Sequence, residues 1–420
     1  PKDGRIRNIE VFIQAHKTSS IETKGITSLN ALAEYGVTVD DAQQTIQLST
    51  AWLYNEEEGA YKNESAGLTL KTTLKNVRVA MTSKNGNDVL LDAEAAAIIG
   101  AALQSENLDS FDKVLAHHEE LAEQISKKSS GEGSYSNLYA GDGDDILFNN
   151  AANSVLLGDG DDATKSSIDA SLGRNGQLIK EYIEANRTDA EKLTNIAKDL
   201  QAKEQDIERD SDGADIVHGG AGSEIIYGGG KADLLDGGAG NDILIGGSGD
   251  DVLLGGDGDD FLFGGSGNDF LDGGEGKDNI FGGSGNDLIV YHASDYLIDG
   301  GEGIDVLLAR DTDPTLAEMT STGADHKGAQ VNGVEVLIKG ADALDISSMD
   351  DLAAKLGVHI EGGKMTLDKG WNLKPGTGED GKNAEFEKGD FTLETNLDIT
   401  DSNSSAEAEQ AAFTLSNSQG

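Results

Sequence analysis

From residue 210 to residue 308 the chain repeats one nine-residue pattern, a glycine-rich polar stretch followed by a short apolar run. Read from Gly219, the units are GGAGSEIIY, GGGKADLLD, GGAGNDILI, GGSGDDVLL, GGDGDDFLF, GGSGNDFLD, GGEGKDNIF and GGSGNDLIV. The unit DSDGADIVH precedes them from Asp210. A degraded unit, YHASDYLID, and one good unit from Gly300 follow, and the register holds across eleven units. The eighth position is always apolar: Val217, Ile226, Leu235, Leu244, Leu253, Leu262, Leu271, Ile280, Ile289, Ile298 and Leu307. Side chains alternate along a strand, so this column predicts one buried side. The six preceding positions predict a tight turn, where glycine takes positive φ without a Cβ clash. A fixed period of this kind predicts a solenoid. A flexible Gly/Asp linker has no reason to keep an apolar residue at every ninth place.

The nonapeptide resembles the repeat of the RTX family, whose fold is a calcium-binding parallel β-roll. The resemblance implies that two units form one coil, so units eighteen residues apart stack. It also implies calcium ions between stacked turns, bridged by sixth-position carboxylates and turn carbonyls. Carried onto this chain, one row of metal ligands is Asp215, Asp233, Asp251, Asp269, Asp287 and Asp305. The other row is Glu224, Asp242, Asp260 and Asp278, and it stops at Tyr296. An all-oxygen set suits a hard cation, and nothing in the turns offers nitrogen or sulfur. Seventh and ninth positions should point outward. On one sheet they form an apolar patch of Ile225, Tyr227, Ile243, Ile245, Phe261, Phe263 and Phe281. A patch of this size calls for a helical segment or a neighbouring chain to cover it.

Elsewhere the periodicity changes. Residues 131–165 read as a shorter roll block with weaker calcium sites at Asp145 and Asp162. Its middle unit lacks Gly and Asp, and its spacing slips by one residue. Residues 166–209 carry a helical pattern (Leu178, Ile179, Tyr182, Ile183, then Leu193, Ile196, Leu200) and predict an inserted helical hairpin. Residues 76–130 predict a β-hairpin turning at Asn85-Gly86, then helices over 92–103 and 110–128. His117-His118-Glu119 lacks the second His of a zincin motif and reads as a solvated helix face.

Residues 1–75 and 309–397 match each other in four places and in the same order. Ile6–Ile13 matches Val331–Ile338, and Ile26–Val39 matches Ile346–Ile360 with one insertion. Leu48–Trp52 matches Leu367–Trp371, and Leu68–Leu74 matches Phe391–Leu397. These predict one α+β capping module present twice, with Trp52 and Trp371 as core or cap aromatics. Residues 398–420 form an acidic tail that resembles a type I secretion signal. The fold class expected is mainly β: a calcium-binding parallel β-roll with an inserted helical hairpin and flanking α+β capping modules.

Composition narrows the partners. The formal net charge is −45, from 77 acidic against 32 basic residues, which disfavours nucleic acid and anionic membranes. No cysteine is present, so disulfides and thiol chemistry are excluded and metal takes over as the stabiliser. No stretch is long enough to insert in a membrane as a helix. The chain opens at Pro1 without Met, as a fragment or a processed product does. The Asp313-Pro314 bond reads as a rigid turn; the resemblance also raises self-cleavage there, as in some RTX relatives. No esterase elbow, phosphate loop or zincin motif occurs, so the chain is expected not to be an enzyme. The expected function is a calcium-folded extracellular or cell-surface bacterial protein exported by type I secretion machinery. It would be an adhesin, S-layer or filament component capable of self-association. The alternative is the C-terminal carrier region of a toxin or hydrolase whose active part lies upstream.

Overall fold

The structure is a computed structural model. It describes, with short gaps, residues 87–127, 137–158 and 213–401, the strands between residues 11 and 82, residues 189, 192 and 195, and residues 413–416. The helical hairpin expected over 166–209, Asp162 and Trp52 lie outside the described residues.

The centre is an alternation of strand and turn wound into a parallel coil. Successive strands fall alternately into two sheets. Ile216–His218, Leu234–Ala239, Val252–Asp257, Phe270–Glu275, Leu288–Val290 and Val306–Ala309 stack in one. Ile225–Gly230, Ile243–Ser248, Phe261–Ser266, Asn279–Ser284 and Leu297–Glu302 stack in the other. Parallel neighbours are 18 residues apart, as in Leu253↔Leu271 and Leu262↔Ile280. Pairing is longer than the three residues expected, because Gly247↔Gly265 and Ser248↔Ser266 continue the ladder into the turn. The eighth-position column is the interior. It runs unbroken from Leu90 through Leu138, Leu147, Leu156 and Val217 to Leu307 and Leu337. At the far end, Leu316 and Met319 of the helix Leu316–Met319 join this column, so the excursion after Ala309 plugs the coil. Thr315 and Glu318 form a capping box that starts that helix.

The short roll block shares the axis of the main roll. Ile146–Phe148 pairs with Ile216–His218, and Val155–Leu157 pairs with Ile225–Tyr227. The segment between them is therefore an insertion within a single turn. Of the remaining elements, the hairpin Asn76–Thr82 and Asp88–Asp92 pairs Thr82 with Asp88 and joins the roll through Val89↔Ile146. The helix expected over 110–128 is instead two, Phe111–Leu115 and His118–Ser126. His117 explains the break. Its Nδ1 bonds the Lys113 carbonyl at 2.7 Å, while its backbone N–H turns to Val114. His118 also departs from a solvated face: it is half-buried, and its Nδ1 lies 3.3 Å from His218 Nε2.

The apolar patch does not face solvent. Phe261 is 0% exposed, Phe263 1% and Phe281 3%, within the single chain. No neighbouring chain is required to cover it. The other sheet's outer face is covered towards its C-terminal end. There Phe270, Leu288 and Val306 share a core with Leu352, Leu356, Trp371 and Phe386. The helix Met349–Leu356 that supplies two of these begins at Ser348, whose side chain accepts from Asp351 N–H, and stops at Gly357 with φ +69. Trp371 is buried and its Nε1 donates to the Leu356 carbonyl at 2.9 Å.

The N-terminal and C-terminal regions use corresponding registers. Val11↔Thr72 and Ile13↔Leu70 sit where Val336↔Thr395 and Ile338↔Leu393 sit. Tyr61↔Leu70 corresponds to Phe386↔Leu393, Leu53↔Lys62 to Asn372↔Glu387, and Val37↔Leu48 to Val358↔Leu367.

Candidate metal centre

Each turn of the roll brings a glycine, a carboxylate and a carbonyl to one point. At Gly246, an added Cβ would lie 2.4 Å from Asp251 Oδ2 and 2.5 Å from the Gly264 carbonyl oxygen of the next coil. At Gly264 the corresponding distances are 2.4 Å to Asp269 Oδ2 and 2.6 Å to the Gly282 carbonyl. The first glycine of a unit is thus required for space rather than for φ. The second and fourth do need positive φ: Gly247 stands at +119 and Gly249 at +141.

The unbroken row of carboxylates is a hydrogen-bonded ladder. Asp233 N–H donates to Asp251 Oδ1, Asp251 N–H to Asp269, Asp269 N–H to Asp287, and Asp287 N–H to Asp305, at 2.8 to 2.9 Å. The second row repeats this at Glu224→Asp242, Asp242→Asp260 and Asp260→Asp278, at 2.6 to 2.7 Å. In each carboxylate one oxygen is thereby engaged. The other oxygen of Asp251, Asp269, Asp278, Asp287 and Asp305 is buried without a hydrogen-bond partner. Such an atom is costly unless something satisfies it.

Electrostatics agree. Burial pushes the Asp251 and Asp287 carboxyls up to about 7. Asp269 stands well above the carboxylate range through burial and then the flanking Asp287 and Asp251 charges. Asp305 rises to about 9, first by burial and then by Asp287. A row of stacked carboxylates therefore resists ionising in the absence of a cation.

These residues fit calcium. Orphaned buried carboxylate oxygens and turn carbonyls converge, all hard oxygen donors. Among the described residues no three His, Cys, Asp or Glu side chains gather at one point, so backbone carbonyls must complete the shell. Asp215, Asp233, Asp251, Asp269, Asp287, Asp305, Glu224, Asp242, Asp260, Asp278 and Asp145 are all buried in the turns.

Three features were missed from the sequence alone. First, the row is longer than expected. Asp145 belongs to it, donating its N–H to Asp215 Oδ1 at 2.8 Å, and Asp88 N–H donates in turn to Asp145 Oδ1 at 2.5 Å. At the other end Asp305 N–H donates to Glu335 Oε2 at 3.1 Å, and burial raises Glu335 to about 7. The signal was present, since GNDVLL at 86–91 and GVEVLI at 333–338 read like unit halves. Secondly, Asp215 takes part in the turn that opens at Gly158. A Cβ on Gly158 would meet Asp215 Oδ2 at 2.0 Å, as one on Gly228 meets Asp233 Oδ2 at 2.2 Å. Asp215 closes that turn from far along the chain. Thirdly, the second row does not stop at Tyr296. Asp295, one position earlier and 5% exposed, brings its carboxyl to that of Asp278. Burial pushes Asp295 up to about 8 and Asp278 to about 6.

The geometry defines a parallel β-roll with oxygen-lined turns suited to calcium. Comparison with known families agrees: the family model of the RTX calcium-binding nonapeptide repeat matches in four copies, at residues 130–156, 209–233, 218–253 and 254–289. The roll belongs to the RTX β-roll family, and it is structural and calcium-binding, taking several Ca2+ ions along its repeats. None of the curated proteins matches the chain. At Asp313-Pro314 the structure shows a turn. Arg310 N–H donates to the Asp313 carboxylate at 2.8 Å and Lys339 Nζ to its carbonyl at 2.8 Å. Among the described residues no helix is long and apolar enough to cross a membrane.

Proposed function

We propose that the protein is an extracellular bacterial structural component, of the adhesin, S-layer or matrix kind, that leaves the cell by type I secretion and folds outside on calcium. The ligands are the sixth-position carboxylates of both rows, with Asp88, Glu335 and Asp295 added at their ends. The observation that carries this reading is the ladder of buried carboxylates, in which Asp251, Asp269, Asp287 and Asp305 each keep an oxygen for an ion. In a compartment with little free calcium, stacked carboxylates repel and the chain stays threadable. At millimolar calcium, sites of about 10⁻⁴ to 10⁻³ M affinity fill, and binding to the folded state alone drives folding. The repeats also accord with type I export, and the tail with an export signal. The strand Phe413–Ser416 of that tail pairs with Lys364–Leu367, so the export segment would join a sheet once folded.

Electron microscopy of the purified chain in millimolar calcium and in chelator tests the structural role. Calcium-dependent filaments or sheets are the expected result. Monomers at every concentration in calcium would sink the array role and leave the carrier reading.

A further inference from the structure

The two modules that flank the roll make the same four strand pairings, yet their first strands end differently. In the C-terminal module the first strand, Val336–Lys339, is paired on both sides. Phe391–Thr395 lies antiparallel on one edge, and the last roll strand, Val306–Ala309, lies parallel on the other. In the N-terminal module the corresponding strand, Val11–Ala15, pairs antiparallel with Leu68–Thr72 and is the outermost strand of its sheet among the described residues. The sequence match continues beyond this strand. Ile6 aligns with Val331, and Gln330–Asn332 is itself the last strand of the opposite roll sheet, parallel to Leu297–Asp299. In sequence, residues 6–13 therefore match the closing coil of the roll, not merely a cap. The modules differ at their third strands: Thr45–Ser49 pairs parallel with Asn76–Thr82, which leads into the roll, whereas Lys364–Leu367 pairs antiparallel with Phe413–Ser416.

We infer that the open edge of Val11–Ala15 is the acceptor for the last coil of a second calcium roll, covalently continuous with Ile6, so that residues 1–75 couple one roll to the next. A second copy of the chain is a poor occupant. Its matching strand, Val306–Ala309, already has both neighbours. The required partner is defined chemically: a parallel strand of the Val-Leu-Leu type at the end of a calcium-folded coil, entering without a linker. An unpaired edge of this kind otherwise invites unwanted strand pairing. The inference goes beyond the extracellular role above and does not depend on it.

The test is a fusion in which residues 210–329 of this chain are joined directly to residues 5–420, so that Ala329 precedes Arg5 as it normally precedes Gln330. Hydrogen exchange in calcium is read at the backbone amides of Val11–Ala15. At least about tenfold slower exchange than in the unfused chain is expected, lost again in chelator. A fusion starting at residue 131 carries the same junction with a longer roll, in case the shorter one does not fold. A calcium-folded added roll with unchanged exchange at Val11–Ala15 overturns the inference. So does protection of the unfused chain that grows with its concentration, which would mean that a second copy fills the edge.

Discussion

The two halves of each coil are held by different physics. The half that begins at Asp215, Asp233, Asp251, Asp269, Asp287 and Asp305 has an unbroken carboxylate row, extended by Asp88, Asp145 and Glu335. The strands it leads into are only half-buried mid-roll, at Leu234, Val252 and Leu254. The other half has an imperfect row. Ser154 and Glu224 stand at its start, and Asp295 substitutes from a neighbouring position at its end. Its strands carry the wholly buried face of Ile243, Ile245, Phe261, Phe263 and Phe281. Phe261 and Phe281 pack with ring centroids 5.3 Å apart. Where the carboxylate row is imperfect, apolar burial is stronger.

The largest effect should come from removing calcium, which strips the first half of its cohesion and leaves both rows repelling. Far-UV circular dichroism in chelator should lose most of the strand signal, and restoring millimolar calcium should return it. Next is pH. In the metal-free fold these carboxyls stand at about 6 to 9, above their unfolded range, with burial as the first cause. The folded state then binds more protons than the unfolded chain. Its stability is fullest below about pH 4 and is lost as pH rises through those values. Acidifying the chelated protein from about pH 8 to about pH 4.5 should therefore recover strand signal. A chelated chain that loses structure on acidification would contradict the ladder.

Smaller effects separate the halves. Phe263→Ala empties part of the covered face and should cost about 3–5 kcal/mol in calcium, read by denaturant unfolding. Leu254→Ala, at a matching position on the half-exposed face, should cost clearly less. Asp269→Asn sits mid-row and should raise the calcium midpoint of folding about tenfold, or ~1.4 kcal/mol. Asp278→Asn, near the end of the other row, should raise it less. Equal shifts for the pair would erase the distinction between the rows. The smallest change is a gain. Asn279 is 0% exposed, with neither side-chain polar atom hydrogen-bonded, between Phe261 and Leu297 in register. Asn279→Val should stabilise the calcium form by about 1 kcal/mol, measured as a rise in Tm.

How legible this was in the chain depends on distance along it. The eighth-position column was readable because strand alternation allows one buried side, and the structure buries each of those residues at 0% exposure. The glycines and sixth-position acids were readable for the same local reason: a turn of fixed length repeats its demands. Local reading failed where a turn is completed from far away. Asp215 closes the turn opened at Gly158, Glu335 follows Asp305 after an excursion of 30 residues, and Asp295 replaces a missing neighbour. Alternation said which face the outward side chains take and patch size that something covers them, but not what: the structure buries them within the single chain. Period and residue type thus settled the coil, its interior and the kind of ion. Which segments meet at its ends, and which face is covered, was settled by packing between residues distant in the chain, where no short-range pattern reaches.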